Sequence, residues 1–190
     1  MLKRIGLAAA ILASATVPAF AHLNPDEHGS FMAGFSHPLF GADHILVMVA
    51  VGIWAAQIGG RALWAVPLAF VGTMSIGFLM ALGGVELPFV EPAILASVIA
   101  LGLLVAMAVR LPVSACAAIV GVFALFHGHA HGGELGSAGA LQFGVGFVIA
   151  TALLHLAGIA LGMGVARFGP KIARVLGAAT ALAGVSLIFG

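Results

Sequence analysis

Charge is spread so thinly along this chain that it leaves uninterrupted apolar runs long enough to cross a bilayer. No Asp, Glu, Lys or Arg occurs between Arg61 and Glu86, between Glu91 and Arg110, between Arg110 and Glu134, or between Glu134 and Arg167. A hydrocarbon core takes roughly 20 predominantly apolar residues of helix. Only 7% of the 190 residues are charged and 63% are hydrophobic, whereas a soluble domain carries roughly 25% charged residues. No run shows the period-2 alternation of an outer-membrane barrel, so the elements are helices. The sequence predicts an all-α integral membrane protein.

The first residues follow another pattern. MLKRIGLAAAILASATVPAFA has a basic start at Lys3 and Arg4, a short apolar core and the small-residue ending Ala19-Phe20-Ala21. That is the layout of a cleavable signal peptide over 1–21, with an uncleaved first span as the alternative. Cleavage would begin the mature chain at His22, whose α-amine and imidazole could then chelate a metal together. The membrane domain, 22–190, divides into six expected spans at about 37–58, 62–82, 91–109, 113–131, 139–164 and 172–189. Gly or Pro combined with a charge marks the breaks.

The basic residues orient these spans. After the leader they are Arg61, Arg110, Arg167, Lys171 and Arg174, all in or beside the breaks after the first, third and fifth spans. The other breaks carry Glu86, Glu91, Glu134 and histidines, but no Lys or Arg. By the positive-inside rule the loops after the odd spans are cytoplasmic. The mature N-terminus is then periplasmic, as a cleaved leader requires, and the expected location is a bacterial inner (cytoplasmic) membrane.

Polar residues gather toward the outer side of this layout. His37 and His44 are nearly two turns apart on the expected first helix, so they share a face, with Asp43 about 100° around from His44. Pro38 suits the first turn of that helix. The fourth span ends in Phe126-His127-Gly128-His129-Ala130-His131-Gly132-Gly133-Glu134. There His127, His131 and Glu134 line one face at spacings of four and three, and a regular helix turns His129 away. His22 and His28 belong to the external N-terminal segment. His155 alone falls in the middle of a span, where it is either hydrogen-bonded to a neighbouring helix or part of a polar path. Imidazole suits divalent nickel, copper, zinc and iron, and a carboxylate can ligate or can orient a histidine through its second nitrogen. The residues thus describe a histidine-rich, outward-facing intramembrane site.

Other chemistries have less support. Cys116 is the sole cysteine, so no disulfide framework forms within the chain. A net charge of +1 gives no reason to expect nucleic acid. No Gly-x-Ser-x-Gly occurs, and Ser36 beside His37 diverges from it by 100° on a helix. No Lys lies deep in a span as a retinal-type Schiff base would need. The methionines read as packing, with Met48, one turn below His44, the best placed for a thioether role. Paired glycines such as Gly144 and Gly146, or Gly158 and Gly162, read as sites of close helix packing.

His37-Pro38-Leu39-Phe40-Gly41-Ala42-Asp43-His44 resembles the His-Pro-x-x-Gly-x-Asp-His signature of HupE/UreJ proteins. The stretch from Phe126 to Glu134 resembles their second signature, and leader, length and span number agree along the whole chain. This resemblance, and not the composition, supplies the word nickel. It implies a nickel (or cobalt) permease accompanying hydrogenases or ureases, with His37, Asp43, His44, His127, His131 and Glu134 as metal residues. His22, His28, His129 and His155 are secondary candidates. The metal is then a transported substrate rather than a permanently bound cofactor, and the chain is not an enzyme. Its partners are the divalent ion and the lipid bilayer, with an indirect link to hydrogenase or urease maturation proteins. Protonation of histidine below about pH 6.5 should compete with the metal. Three other readings stay open on the residues: a haem protein using His44 with His127 or His155, a metal-dependent membrane enzyme, and an accessory scaffold that senses metal.

Overall fold

The computed structural model describes residues 30–135 and 139–189, without the side chains of residues 134 and 135. The expected leader, His22 and His28 lie outside these residues, as does the side chain of Glu134. Among the described residues seven helices follow one another: α1 (Phe31–Phe40), α2 (Ala42–Ile58), α3 (Ala62–Leu82), α4 (Val90–Ala106), α5 (Val113–Leu135), α6 (Ala140–Ala166) and α7 (Pro170–Phe189). There is no strand among the described residues. Leu68, Leu79, Leu141, Val175 and Leu182 are among many large apolar side chains exposed on the outside of the bundle. A helical bundle sheathed in exposed leucine and valine is built for lipid rather than water.

The first expected span is not one helix. Ser30 caps α1, its hydroxyl accepting from the Ala33 N–H at 2.9 Å, which satisfies an orphan donor of the first turn. Near the other end Pro38 removes a backbone donor, and Gly41 takes an extended conformation (φ −78°, ψ 116°) before α2 begins. The two helices meet at 79°. His37 and Pro38 therefore lie near the end of one helix rather than at the mouth of the next, and the shared helical face expected for His37 and His44 does not exist.

Four helices, α3, α5, α6 and α7, are long and apolar enough to cross a membrane singly, and α1 with α2 makes a fifth if the bent pair counts as one crossing. The six expected spans are thus only partly matched. The remaining helix, α4, has 17 residues and stops at Ala106 rather than near 109. Two of its last carbonyls accept from side chains, Val105 O from Gln57 Nε2 at 3.0 Å and Ala106 O from Arg174 Nε at 2.8 Å, and just beyond the helix Trp54 Nε1 donates to Val109 O at 2.8 Å. These contacts satisfy groups that a helix end would otherwise leave open, and Ala108 turns the chain away at φ 52°.

The same contacts gather the ends of α2 and α4 with the start of α7, so the basic residues share one end of the bundle. Within the bundle α3 packs most extensively on α5, α2 on α6 and α4 on α7, while α1 lies against α6. Each pairing is made close by glycine on both sides. A Cβ on Gly128 would collide with the Met74 backbone and one on Gly77 with that of Leu125; Gly52 and Gly158, Gly102 and Gly177, and Gly34 and Gly146 pair likewise. Small residues let backbones touch where no aqueous hydrophobic force drives helices together.

Candidate metal centre

The α3–α5 contact decides where the histidines point. Gly128 and Gly132 face α3, where any Cβ would meet the backbone of Met74 or Phe78. His127 and His131 each precede one of these glycines, so a 100° turn per residue swings both imidazoles off the α3 contact and into the bundle. His127 is 0% and His131 6% exposed. His129 is turned elsewhere, as expected, and its Nε2 bonds the Val85 carbonyl at 2.7 Å outside the cluster.

Into the same space come His37 from α1 and His44 from the first turn of α2. Ring centroids of His37 and His131 are 4.2 Å apart, those of His44 and His131 4.8 Å, and those of His37 and His44 5.4 Å. His37, His44 and His131 can each offer one ring nitrogen, all lying within 4.8 Å of one another. His127 is the fourth member, its ring 5.1 Å from that of His44. Phe147 of α6 walls the group, 5.0 Å from His131 and 6.1 Å from His44.

Proton positions follow from the partners. Asp43 Oδ1 stands 2.9 Å from His44 Nδ1, although the ring does not aim an N–H along that line. The carboxylate charge still favours a proton on Nδ1, which leaves Nε2 of His44 as the lone-pair nitrogen. That Nε2 faces Nε2 of His131 at 2.7 Å, so His131 supplies the shared proton and its own Nδ1 is a bare, buried lone pair without a partner. Ser97 of α4 acts similarly on His127. Its hydroxyl proton goes to the Ile94 carbonyl at 2.5 Å, so at 3.0 Å it accepts from His127 Nε2–H. Nδ1 of His127 is then also a buried lone pair with no partner. Buried acceptors left open in this way are exceptional in folded proteins, and a divalent cation is the chemistry that would use several at once.

Of the residues expected from the sequence, the structure brings together His37, His44, His127 and His131, with Asp43 beside His44. It separates His129 and His155 from them. Cys116 is buried near Leu111, toward the basic end and away from the cluster. Sequence reasoning missed Ser97 and Phe147, which sit in apolar runs with no telling spacing. It also missed Gly41, where a Cβ would stand 2.9 Å from His44 Nδ1 and 3.0 Å from Asp43 Oδ1.

A helical membrane protein with a buried histidine cluster near one end is the class that fold and site define. The sequence profile of the family described as HupE / UreJ protein matches residues 9–187. Over 184 residues the chain is 47% identical to Protein HupE of Rhizobium leguminosarum bv. viciae, which covers 94% of this chain and 95% of that protein. The chain belongs to the HupE/UreJ family, an accessory and transport family rather than a family of enzymes. No solved structure matches it.

Proposed function

We propose that this protein is a permease for Ni²⁺, with Co²⁺ as the alternative cargo, and that the histidine cluster is its capture site. The observation that carries the reading is the convergence of His37, His44 and His131 from three helices, with ligand nitrogens within 4.8 Å of one another. A hydrated ion would exchange waters for these imidazoles, with His127 behind them. Asp43 offsets part of the divalent charge, which bare hydrocarbon would not tolerate. With the shared proton moved to His131 Nδ1, the Nε2 atoms of His44 and His131, 2.7 Å apart and each at the 2.0–2.1 Å usual for a metal–imidazole bond, subtend about 80° at a shared ion. Square-planar and octahedral ions accept that angle, whereas a tetrahedral zinc site requires the pair to open.

In this reading the chain makes six crossings of the inner membrane, α1 and α2 forming one bent crossing and α4 a short one. The histidine end faces the periplasm and the basic end the cytoplasm, and the imported metal serves hydrogenase or urease maturation. Haem is disfavoured as an occupant, because the His44 and His127 rings stand edge to face at 5.1 Å with no plate-shaped slot between them.

The test is ⁶³Ni²⁺ uptake by cells expressing wild type or His44→Ala, with Co²⁺ and Zn²⁺ as competitors. Uptake is expected from wild type only, with Co²⁺ competing better than Zn²⁺. Equal uptake by both strains would sink the site.

A further inference from the structure

His155 is 1% exposed, and neither of its ring nitrogens has a hydrogen-bond partner. The interhelical hydrogen bond that the sequence allowed for it is absent, and its contact is instead the face or edge of Phe70, centroids 5.0 Å apart. An N–H over a ring is a weak bond and serves one nitrogen at most. One lone pair therefore stays open in a dry interior, where such a group is costly.

The surroundings hold two further donors. Thr151 and His155 are one turn apart on α6, as Phe70 and Met74 are on α3, so the two helices meet in two successive rungs. In the second rung the Thr151 hydroxyl lies 3.7 Å from the Met74 thioether sulfur, and both residues are 0% exposed. Phe70 also touches His127, at 5.9 Å between centroids, and so links this place to the outer cluster.

We propose that His155, with the Met74 sulfur and the Thr151 hydroxyl one turn away, forms a second metal station deeper in the bundle. The ligand class is a borderline-to-soft divalent transition ion, for which an imidazole and a thioether are suitable donors. Neither α3 nor α6 contains an acidic residue, so an ion there keeps its full charge and is held weakly. Weak holding is what a transit point requires, since an ion bound tightly would not leave. The inference rests on the reading of the outer cluster as the entrance of a cation path.

The experiment is equilibrium dialysis of ⁶³Ni²⁺ against the purified full chain in detergent, with X-ray absorption at the nickel edge. Wild type is expected to show two classes of binding, with a sulfur shell appearing only as the weaker class fills. His155→Asn should lose the weaker class and keep the tighter one, while His131→Ala should do the reverse. Met74→Leu, which conserves volume and so keeps the packing, should lose the sulfur shell. A single class in wild type, or a weaker class that survives His155→Asn, would overturn the inner station. These isotherms are independent of transport. A wild type that binds in two classes but carries no nickel into cells removes the permease and leaves the station standing.

Discussion

A Cβ at Gly41 would stand 2.9 Å from His44 Nδ1 and 3.0 Å from Asp43 Oδ1, so those side chains would have to shift to admit it. Gly41→Ala should therefore push the imidazole out of line with His131 and weaken nickel binding while helix content, read by circular dichroism, stays unchanged. Unaltered affinity would show that the ring position does not matter. Asp43→Asn removes the charge that sets the His44 proton, and partners of that kind are worth about 10–100-fold in metal affinity; titration of the purified variant with Ni²⁺ measures it. Much of this was legible in the sequence, since Asp43 and His44 are conspicuous polar residues before an apolar run. Ser97 was not, because a lone serine in such a run looks the same whether or not it holds a histidine.

Among the elements, α5 shows how a helix converts spacing into aim. Its His-Gly pairs at 127–128 and 131–132 repeat every four residues, so one face packs and the adjacent face presents imidazoles. Gly128→Val should separate α5 from α3, cost about 1–3 kcal/mol as overpacked sites do, and weaken nickel binding by displacing His127 and His131. Gly133→Ala is the control, since a Cβ there meets nothing within 4 Å. Equal thermal stability and equal nickel affinity for the two variants would contradict the packing argument. The alignment of His127 with His131 and the turning away of His129 follow from helical period alone, which is why the sequence revealed them. The bend between α1 and α2 does not. One glycine costs a helix only about 1 kcal/mol, so Gly41 reads equally well as helix interior, and packing of α1 on α6 through Gly34 and Gly146 decides the break.

The molecule as a whole is polar along its length, with buried histidines toward one end and Trp54, Gln57 and Arg174 tying the basic end together. Reporter fusions after Gly60 and Gly169 should behave as cytoplasmic, and one after Gly84 as periplasmic; the reverse pattern would invert the topology. The positive-inside asymmetry made this axis visible in the sequence. The early end of α4 was less visible, because hydropathy cannot register the Gln57 and Arg174 side chains on its last carbonyls. In the proposed permease the histidine cluster is what lets nickel through. Its most direct test is ⁶³Ni²⁺ entry into proteoliposomes made with purified wild type or His131→Ala. Wild-type vesicles should fill and the variant should match protein-free vesicles; filling of both at the same rate would contradict the account.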